Sequence, residues 1–209
     1  MKITDITQQK HNKSRMSVFV DGEYSFSLED TDIIFLGIKI GKEITKEEIR
    51  EYNQRCNYTK AFSLALDIIS RKAATKKQIK EKITKSGYDE EIVTMVCDEL
   101  KSMGYLDDVE YAREFAKDMI SYKKQGKTKI IMELKNRGVS QDDIREALLD
   151  MDFCEDDSIS EHLSKKFSHL DLTDMKTKEK AMRYLLYRGF SPSDATEGIA
   201  RFIREQREE

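Results

Sequence analysis

The sequence predicts a mainly α-helical protein in which three tandem three-helix repeats form an elongated, curved array behind a small N-terminal β-hairpin module. Three observations predict this fold. The 209 residues include a single proline, two β-rich arms flank an Asp-Gly pair near the N-terminus, and a helical pattern recurs every 51 residues. A chain almost free of proline and rich in Lys, Glu, Leu and Ile favours helix. We assign the hairpin module and a linking helix to 1–57 and the repeats to 58–106, 107–154 and 155–209.

The hairpin is predicted by "MSVFVDGEYSFSL" (16–28), in which Asp21 and Gly22 separate the two arms. A type I′ turn needs two positive φ angles, so Asp-Gly between such arms is a strong hairpin signal. Tyr24, Phe26 and Leu28 are expected on one face of the second arm. The preceding "KITDITQQ" is a candidate third strand, and the spacing of Thr45 and Glu48 predicts a capping box that begins the first long helix.

Three glycines mark the repeats. Gly87, Gly138 and Gly189 follow one another at intervals of 51 residues, and an aliphatic residue precedes each by four positions. Spacing of four places these aliphatic residues on one buried helix face, and a glycine just beyond it fits the left-handed turn that ends a helix. The predicted N-caps of the third helices are Asp89, Ser140 and Ser191. An irregular helical bundle with coincidental similarities is the alternative interpretation.

The acidic stretch "GYLDDVE" (104–110) raises the question of a metal or acid–base site. Its spacing favours a helix start instead: Gly104 ends one helix, Asp107 is the predicted N-cap of the next, and Glu110 completes a capping box. Asp108 then meets the positive end of the helix dipole. We expect this stretch to join the first two repeats and to set the curvature of the array.

Basic residues concentrate on the second helix of each repeat, although the formal net charge is −3. Lysine stands eleven residues before each of the three glycines, and we take these lysines and their basic neighbours as the candidate partner- or nucleic-acid-binding surface. The members of this basic stripe are Lys76, Lys80, Lys127, Lys129, Arg137, Lys178, Lys180 and Arg188. Lysines in a first helical turn can receive a phosphate or a carboxylate. A solvated charged face is the alternative, and recurrence also follows from common ancestry of the repeats.

Tyr122, Tyr184 and Tyr187 lie near this charge and can stack on bases, but half-buried core positions are the favoured interpretation. No phosphate-binding glycine loop and no G-x-S-x-G elbow is present, so we expect no enzyme. The three histidines and three cysteines show no ligand spacing, so we expect no metal or cofactor. No apolar span or signal core is found. A cytoplasmic protein with reduced thiols is expected.

These motifs resemble the RecX family of bacterial regulators of the RecA recombinase. The resemblance covers the helical body and extends to the hairpin "VFVDGEYSFSL". It is carried by "GYLDDVEYAREF" (104–115), "GKTKIIMELKNRGVSQDDI" (126–144), "TKKQIKEKITKSGY" (75–88) and "KAMRYLLYRGFS" (180–191).

The resemblance implies a fold of three tandem three-helix repeats and a regulatory protein without catalytic activity. Members of the family bind the RecA nucleoprotein filament along its groove and typically inhibit its ATP hydrolysis and strand exchange, within DNA repair, recombination and the SOS response. Some also bind single- or double-stranded DNA directly. A monomer is expected. Two other functions remain open: a nucleic-acid-binding protein that acts without RecA, and a helical scaffold for another protein.

Overall fold

The computed structural model describes residues 1–10, 12–151, 153 and 155–208. His11 and Cys154, considered above as possible metal ligands, lie outside the described residues. The strands are β1 (Ile3–Gln8), β2 (Arg15–Val20) and β3 (Glu23–Glu29). The helices are α1 (Asp30–Phe35), α2 (Lys46–Tyr52), α3 (Thr59–Arg71), α4 (Lys76–Lys85), α5 (Glu90–Ser102), α6 (Asp108–Ser121), α7 (Lys127–Asn136), α8 (Gln141–Ala147), α9 (Glu155–Phe167), α10 (Met175–Arg188) and α11 (Pro192–Glu208). The chain divides into two compact units, 1–107 and 108–209.

The first unit begins with a three-stranded antiparallel sheet of order β1-β2-β3. Asp21 and Gly22 have φ angles of 52° and 91°, the two positive values that a type I′ turn requires. The predicted hairpin is therefore confirmed, and the candidate third strand is present as β1. Tyr24 does not share the face of Phe26, because the register shifts between the pairs Val18–Phe26 and Phe19–Tyr24. Such a bulge reverses the alternation of side chains.

The sheet leads into a long helical segment that begins at the predicted capping box. The Thr45 hydroxyl accepts from the Glu48 N–H at 3.1 Å, and the Glu48 carboxylate accepts from the Thr45 N–H at 2.8 Å. Helix α2 continues through a π-helical segment, Asn53–Tyr58, into α3. A π-helical turn displaces the side chains that follow it around the helix axis, and here the segment carries the buried Asn57.

A buried arginine joins the sheet to the first repeat. Arg15 is 1% exposed. Its Nε donates to the Gly87 carbonyl at 3.0 Å, and one Nη donates to the Ser27 hydroxyl at 2.9 Å and to Asn57 Oδ1 at 3.0 Å. The guanidinium carbon lies 4.1 Å from the centroid of the Tyr88 ring. Arg15 therefore connects a strand, the π-helical segment and the turn after α4.

The second unit contains the other two repeats, each with its own apolar core. The core of the second repeat is centred on Ile130, Leu134 and Ile144, and that of the third on Leu163, Leu185 and other aliphatic and aromatic residues of α9, α10 and α11. The predicted fold class, a mainly helical chain with three three-helix repeats and a small N-terminal β module, is confirmed.

The repeats also share their helix ends. Gly87, Gly138 and Gly189 have φ angles of 92°, 87° and 94°, the left-handed conformation that ends a helix. Ser140 and Ser191 accept from the N–H groups of the residues three positions later, each at 3.1 Å, as N-caps do. Asp89 occupies the N-cap position of α5 but makes no capping bond. It accepts instead from the Tyr24 hydroxyl, and burial raises the pKa of Asp89.

The acidic stretch lies at a helix junction. Gly104 has a φ angle of 74°, and the Tyr105 N–H donates to the Leu100 carbonyl at 2.9 Å, which closes the turn after α5. Helix α6 begins at Asp108, one residue after the predicted N-cap Asp107. Glu110 forms an ion pair with Arg113. The capping bonds assigned to Asp107 and Glu110 stay a prediction.

Substitution of Gly87 should cost more stability than substitution of Gly104, although both residues have positive φ. A Cβ atom at Gly87 would lie 2.3 Å from Gln9 Oε1 and 2.8 Å from Arg15 Cδ, whereas one at Gly104 would meet nothing within 4 Å. Gly104→Ala should therefore lower the free energy of unfolding by about 1 kcal/mol from backbone strain alone, and Gly87→Ala by about 3 kcal/mol, because steric overlap adds to that strain. Urea denaturation measures both. Equal losses would contradict the close packing at Gly87.

Removal of the Arg15 guanidinium should destabilise the first unit. Arg15→Met leaves the Gly87 carbonyl and Asn57 Oδ1 without this donor, and loss of such buried bonds to a charged group costs about 3 kcal/mol. Arg71→Met is the matched control, because Arg71 pairs with Asp67 on the surface and should cost about 0.5 kcal/mol or less. The comparison uses urea denaturation followed by circular dichroism. Similar midpoints for the two variants would show that Arg15 does not hold the unit together.

Candidate functional site

In the first repeat, the basic stripe is paired with the acidic third helix. Lys76 Nζ lies 2.9 Å from Asp98 Oδ1, and Lys80 Nζ lies 3.0 Å from Glu90 Oε1. Both pairs join α4 to α5 within one repeat. All four side chains are substantially exposed, and exposed ion pairs contribute about 0–1 kcal/mol. These lysines therefore have internal partners that an external acidic partner can replace at small cost.

In the second repeat, the members of the stripe have different environments. The Lys127 Nζ lies 5.2 Å from the centroid of the Phe153 ring, and the Lys129 Nζ lies 3.6 Å from Glu133 Oε1. Arg137 is half-buried: its Nη1 donates to the Tyr111 hydroxyl at 3.2 Å, and its Cζ lies 4.5 Å from the centroid of a second aromatic ring, that of Phe115. Arg137 therefore packs inside the second repeat rather than on an open basic face.

In the third repeat, the second helix begins three residues before its lysine, whereas α4 and α7 begin at theirs. The N-cap of α10 is Asp174, which accepts from the Thr177 N–H at 3.0 Å. Lys178 is therefore the fourth residue of α10, and its N–H donates to the Asp174 carbonyl at 2.9 Å. Within the described part of the chain, Lys178 and Lys180 have no ion-pair partner.

The start of α7 is already occupied by the chain itself. The Gly126 N–H donates to the Arg188 carbonyl and the Thr128 N–H to the Gly189 carbonyl, each at 3.1 Å. The Lys127 N–H donates to Glu155 Oε1 at 3.2 Å. The expected anion at this helix start is thus a carboxylate of the chain, and burial raises the pKa of Glu155.

A basic cleft lies in the second unit, between the end of α6 and helices α9 and α10. Its volume is about 500 Å³, and its charged lining consists of five cations and one carboxylate. The lining residues are Tyr122, Lys123, Lys124, Glu161, His162, Lys165, Lys166, Tyr184 and Arg188. Only Arg188 belongs to the predicted stripe. The other four cations come from the lysine pairs of "YKK" and "SKK", which are visible in the sequence. The repeat pattern, however, does not predict that these two pairs lie close together.

A directed chain of hydrogen bonds forms one side of the cleft. The Arg188 Nε donates to the Tyr184 hydroxyl at 3.2 Å, the hydroxyl lies 3.1 Å from His162 Nδ1, and His162 Nε2 lies 2.8 Å from the Lys124 carbonyl. A carbonyl oxygen only accepts, so Nε2 carries the proton and the Tyr184 hydroxyl donates to Nδ1. Lys124 has a φ angle of 49°, a conformation that is strained for a residue with a side chain. The chain of bonds therefore fixes Lys124 in place.

Two of the three tyrosines near this charge differ from the expectation of half-buried core positions. Tyr122 is 83% exposed and Tyr187 is 73% exposed, so the expectation was wrong for both. Tyr184 is half-buried, with Lys166 Nζ 4.2 Å from its ring centroid. An exposed aromatic ring beside several cations is the arrangement on which nucleobases stack.

Metal-ligand clusters and membrane-spanning helices are two further features to consider in a chain of this composition. No group of three or more His, Cys, Asp or Glu side chains in the described ranges is arranged to hold a metal ion. Across those same residues, no helix combines the length and the apolar character needed to cross a bilayer.

Four family models match the chain in sequence order. The model described as the regulatory protein RecX N-terminal domain matches residues 1–45, and the first, second and third three-helix domains of RecX match 61–100, 107–148 and 155–197.

Curated relatives match over nearly the whole length. A protein named Regulatory protein RecX from Clostridium botulinum strain Eklund 17B is 36% identical over 193 residues, which cover 90% of each chain. Its counterpart from Clostridium acetobutylicum is 33% identical over 210 residues, which cover 97% of each chain.

Solved structures share the fold. A crystal structure of regulatory protein RecX matches with a TM-score of 0.64 at 24% identity and covers 98% of both chains. The crystal structure of RecX from Lactobacillus salivarius matches with a TM-score of 0.61 at 21% identity and covers 69% of this chain and 96% of that one. At these identities, the structural matches show similarity of fold alone.

Stability should depend on the protonation of His162. Burial lowers the pKa of His162, and the nearby cations Arg188 and Lys165 act in the same direction, against the Lys124 carbonyl and Glu161. The unfolded chain, with a histidine pKa of about 6.5, therefore binds a proton at a pH where the folded protein does not. The stability that neutral His162 provides is complete above about pH 6.5 and is lost as the pH falls through the lowered folded pKa.

The measurement compares the native protein with His162→Gln by urea denaturation at several pH values. The difference in unfolding free energy between them should shrink as the pH falls from about 7.5 to about 5.5. His169→Gln, which changes an exposed ring of the same repeat, is the control. A difference that stays constant over this range would mean that His162 is not buried in its neutral form.

Proposed function

Because the chain belongs to the RecX family of regulatory proteins, we propose that it binds the RecA filament on single-stranded DNA, within the filament groove, and inhibits RecA. The inhibited activities are ATP hydrolysis, recombination and strand exchange. One observation carries the proposal: the N-terminal domain and all three helical domains of RecX match in order along the chain. The relatives named above match over at least 90% of both chains, so the proposal concerns the whole architecture and not a shared fragment.

The protein acts by binding to its partner rather than by catalysis. It does so as a monomer in the cytoplasm, in DNA repair and the SOS response. The fold offers helical faces with exposed cations, and such faces are complementary to an acidic protein surface or to DNA phosphates. Lys127, Lys178 and Lys180 are the stripe residues most available for such contacts. Lys76 and Lys80 join them after exchange of their exposed carboxylate partners.

The arginines of the stripe have a different part in this function. Arg137 packs on the rings of its own repeat, and Arg188 donates to Tyr184 at 3.2 Å. Substitution of either arginine would alter the repeat itself together with any contact to a partner. Charge reversal at the lysines therefore gives the cleaner test of the stripe.

The proposal is tested by the ATPase activity of RecA on single-stranded DNA, titrated with this protein. The native protein should lower the rate of ATP hydrolysis. The triple variant Lys76→Glu, Lys127→Glu and Lys178→Glu should need about tenfold more protein for the same inhibition, since each reversed charge opposes docking on an anionic partner. The matched control reverses three exposed lysines outside the stripe, Lys101, Lys117 and Lys135.

Three outcomes are informative, once circular dichroism shows that all variants are folded. No effect of the native protein on ATP hydrolysis would overturn the proposed function. Equal inhibition by the stripe variant and the native protein would support the proposed function but would show that the stripe is not part of the interface. Tight binding of labelled single-stranded DNA without RecA, with a steep dependence on salt, would favour a nucleic-acid-binding protein that acts independently of RecA.

A further inference from the structure

The basic cleft of the second unit is distinct from the basic stripe in composition and in shape. Four of its five cations, Lys123, Lys124, Lys165 and Lys166, lie outside the second helices of the repeats. Its volume of about 500 Å³ falls within the range of about 300–1,000 Å³ that small-molecule pockets occupy. We propose that this cleft binds the polyphosphate of a free nucleoside triphosphate, with the exposed ring of Tyr122 stacked on the base.

Charge is the first argument for this ligand. The lining cations exceed the single carboxylate, Glu161, by four, and a nucleoside triphosphate carries on the order of four negative charges near neutral pH. Like charges held close together repel one another, and a bound anion of matching charge relieves this repulsion. Glu161 already reduces part of this repulsion, because its Oε2 lies 3.8 Å from Lys124 Nζ and its carboxylate forms an ion pair with Lys165.

The shape of the cleft favours a free nucleotide over a strand. Single strands are bound along open grooves that follow the backbone over about 4–16 nucleotides. The lining of this cleft is instead gathered from three short segments of the second unit, 122–124, 161–166 and 184–188. A cleft lined by such short segments, with this surplus of cations, fits several phosphates joined directly to one another better than phosphates separated by sugars.

One side of the cleft is also held in a fixed form before any ligand arrives. The bonds from Arg188 through Tyr184 and His162 end on the Lys124 carbonyl, so the strained backbone of Lys124 is held in position. The Lys166 Nζ lies 4.2 Å from the centroid of the Tyr184 ring. Preorganised cations bind an anion at a smaller cost in conformational entropy than mobile ones.

The base would be recognised at the edge of the cleft. Tyr122 is 83% exposed although it lines the cleft, so its ring is accessible from solvent. Stacking of a base on an aromatic ring contributes about 1–3 kcal/mol and tolerates every base. The site would therefore discriminate strongly by the number of phosphates and weakly by the identity of the base.

The test uses the full chain without RecA, so that its result is independent of the proposed function. A fluorescent ATP analogue is the probe, in the absence of Mg²⁺ so that the phosphates keep their charge. Unlabelled ATP, inorganic tripolyphosphate and oligothymidylate are the competitors. ATP should displace the probe, tripolyphosphate should displace it less effectively, and oligothymidylate should be the weakest of the three per phosphate group.

Variants of the cleft should change affinity in opposite directions. Lys124→Glu with Lys166→Glu should weaken binding of the probe at least about tenfold, whereas the control Lys101→Glu with Lys135→Glu should leave it within about twofold. Glu161→Gln removes the only lining carboxylate and should tighten binding about threefold. Tyr122→Ala should weaken binding of ATP and leave that of tripolyphosphate unchanged.

Specific results would overturn the proposal. Binding that is unchanged in the Lys124→Glu, Lys166→Glu variant, or weakened in Glu161→Gln, would place the nucleotide elsewhere. If the double variant fails to fold, Glu161→Gln and Tyr122→Ala carry the test, because neither adds a charge to the cleft. Displacement of the probe by oligothymidylate more effectively than by ATP would assign the cleft to a nucleic-acid strand, and no binding of the probe at millimolar concentration would refute it altogether.

Discussion

The first unit depends on the buried guanidinium of Arg15. A buried cation without a directly bound carboxylate is costly, and burial lowers the pKa of Arg15. Its charge is balanced by oxygens of Gly87, Ser27 and Asn57 and by the face of the Tyr88 ring. Because these partners come from the sheet, the π-helical segment and the turn after α4, the Nε and Nη2 bonds of Arg15 form together only when all three are in place. Arg15 therefore couples folding of the sheet to folding of the first repeat, together with the bond from the Tyr24 hydroxyl to Asp89.

The carbonyl groups at the end of a helix need hydrogen-bond donors, and the two units supply these donors in different ways. Every helix leaves carbonyl groups unpaired at its C-terminus, and the left-handed turns at Gly87 and Gly189 present such carbonyls to a neighbouring element. Arg15 donates to the Gly87 carbonyl, whereas the Gly189 carbonyl accepts from the Thr128 N–H of α7. In the second case, the C-terminus of one helix meets the N-terminus of another, and opposite ends of two helix dipoles attract. The repeated glycine is thus a point of assembly as well as the end of a helix.

Local signals in the sequence identify the turns and helix starts, because the residues that form each of them lie within a few positions of one another. The two positive φ angles at Asp21 and Gly22, the box of Thr45 and Glu48 and the cap at Ser140 are of this kind. Arg15 could not be assigned in this way, since its partners are 12, 42 and 72 residues away in sequence. Lys178 is the fourth residue of its helix, whereas Lys76 and Lys127 are the first residues of theirs, because α10 begins at the Asp174 cap. The recurrence of the lysines does not reveal this difference.

At the candidate sites too, contacts between residues distant in sequence could not be predicted. These contacts distinguish two groups of basic residues that a count of charges does not separate. Arg15, Arg137 and Arg188 all donate to groups inside their own units, which suits a planar guanidinium with several fixed donors and weak hydration. Lys76, Lys80 and Lys165 keep substantially exposed side chains, and strong hydration favours an ammonium group at the surface. Arginine therefore assembles the repeats and lysine supplies the charge that a partner meets. Affinity for an anionic partner should accordingly be tuned through lysines without loss of the fold, whereas a change at these arginines acts on fold and function together.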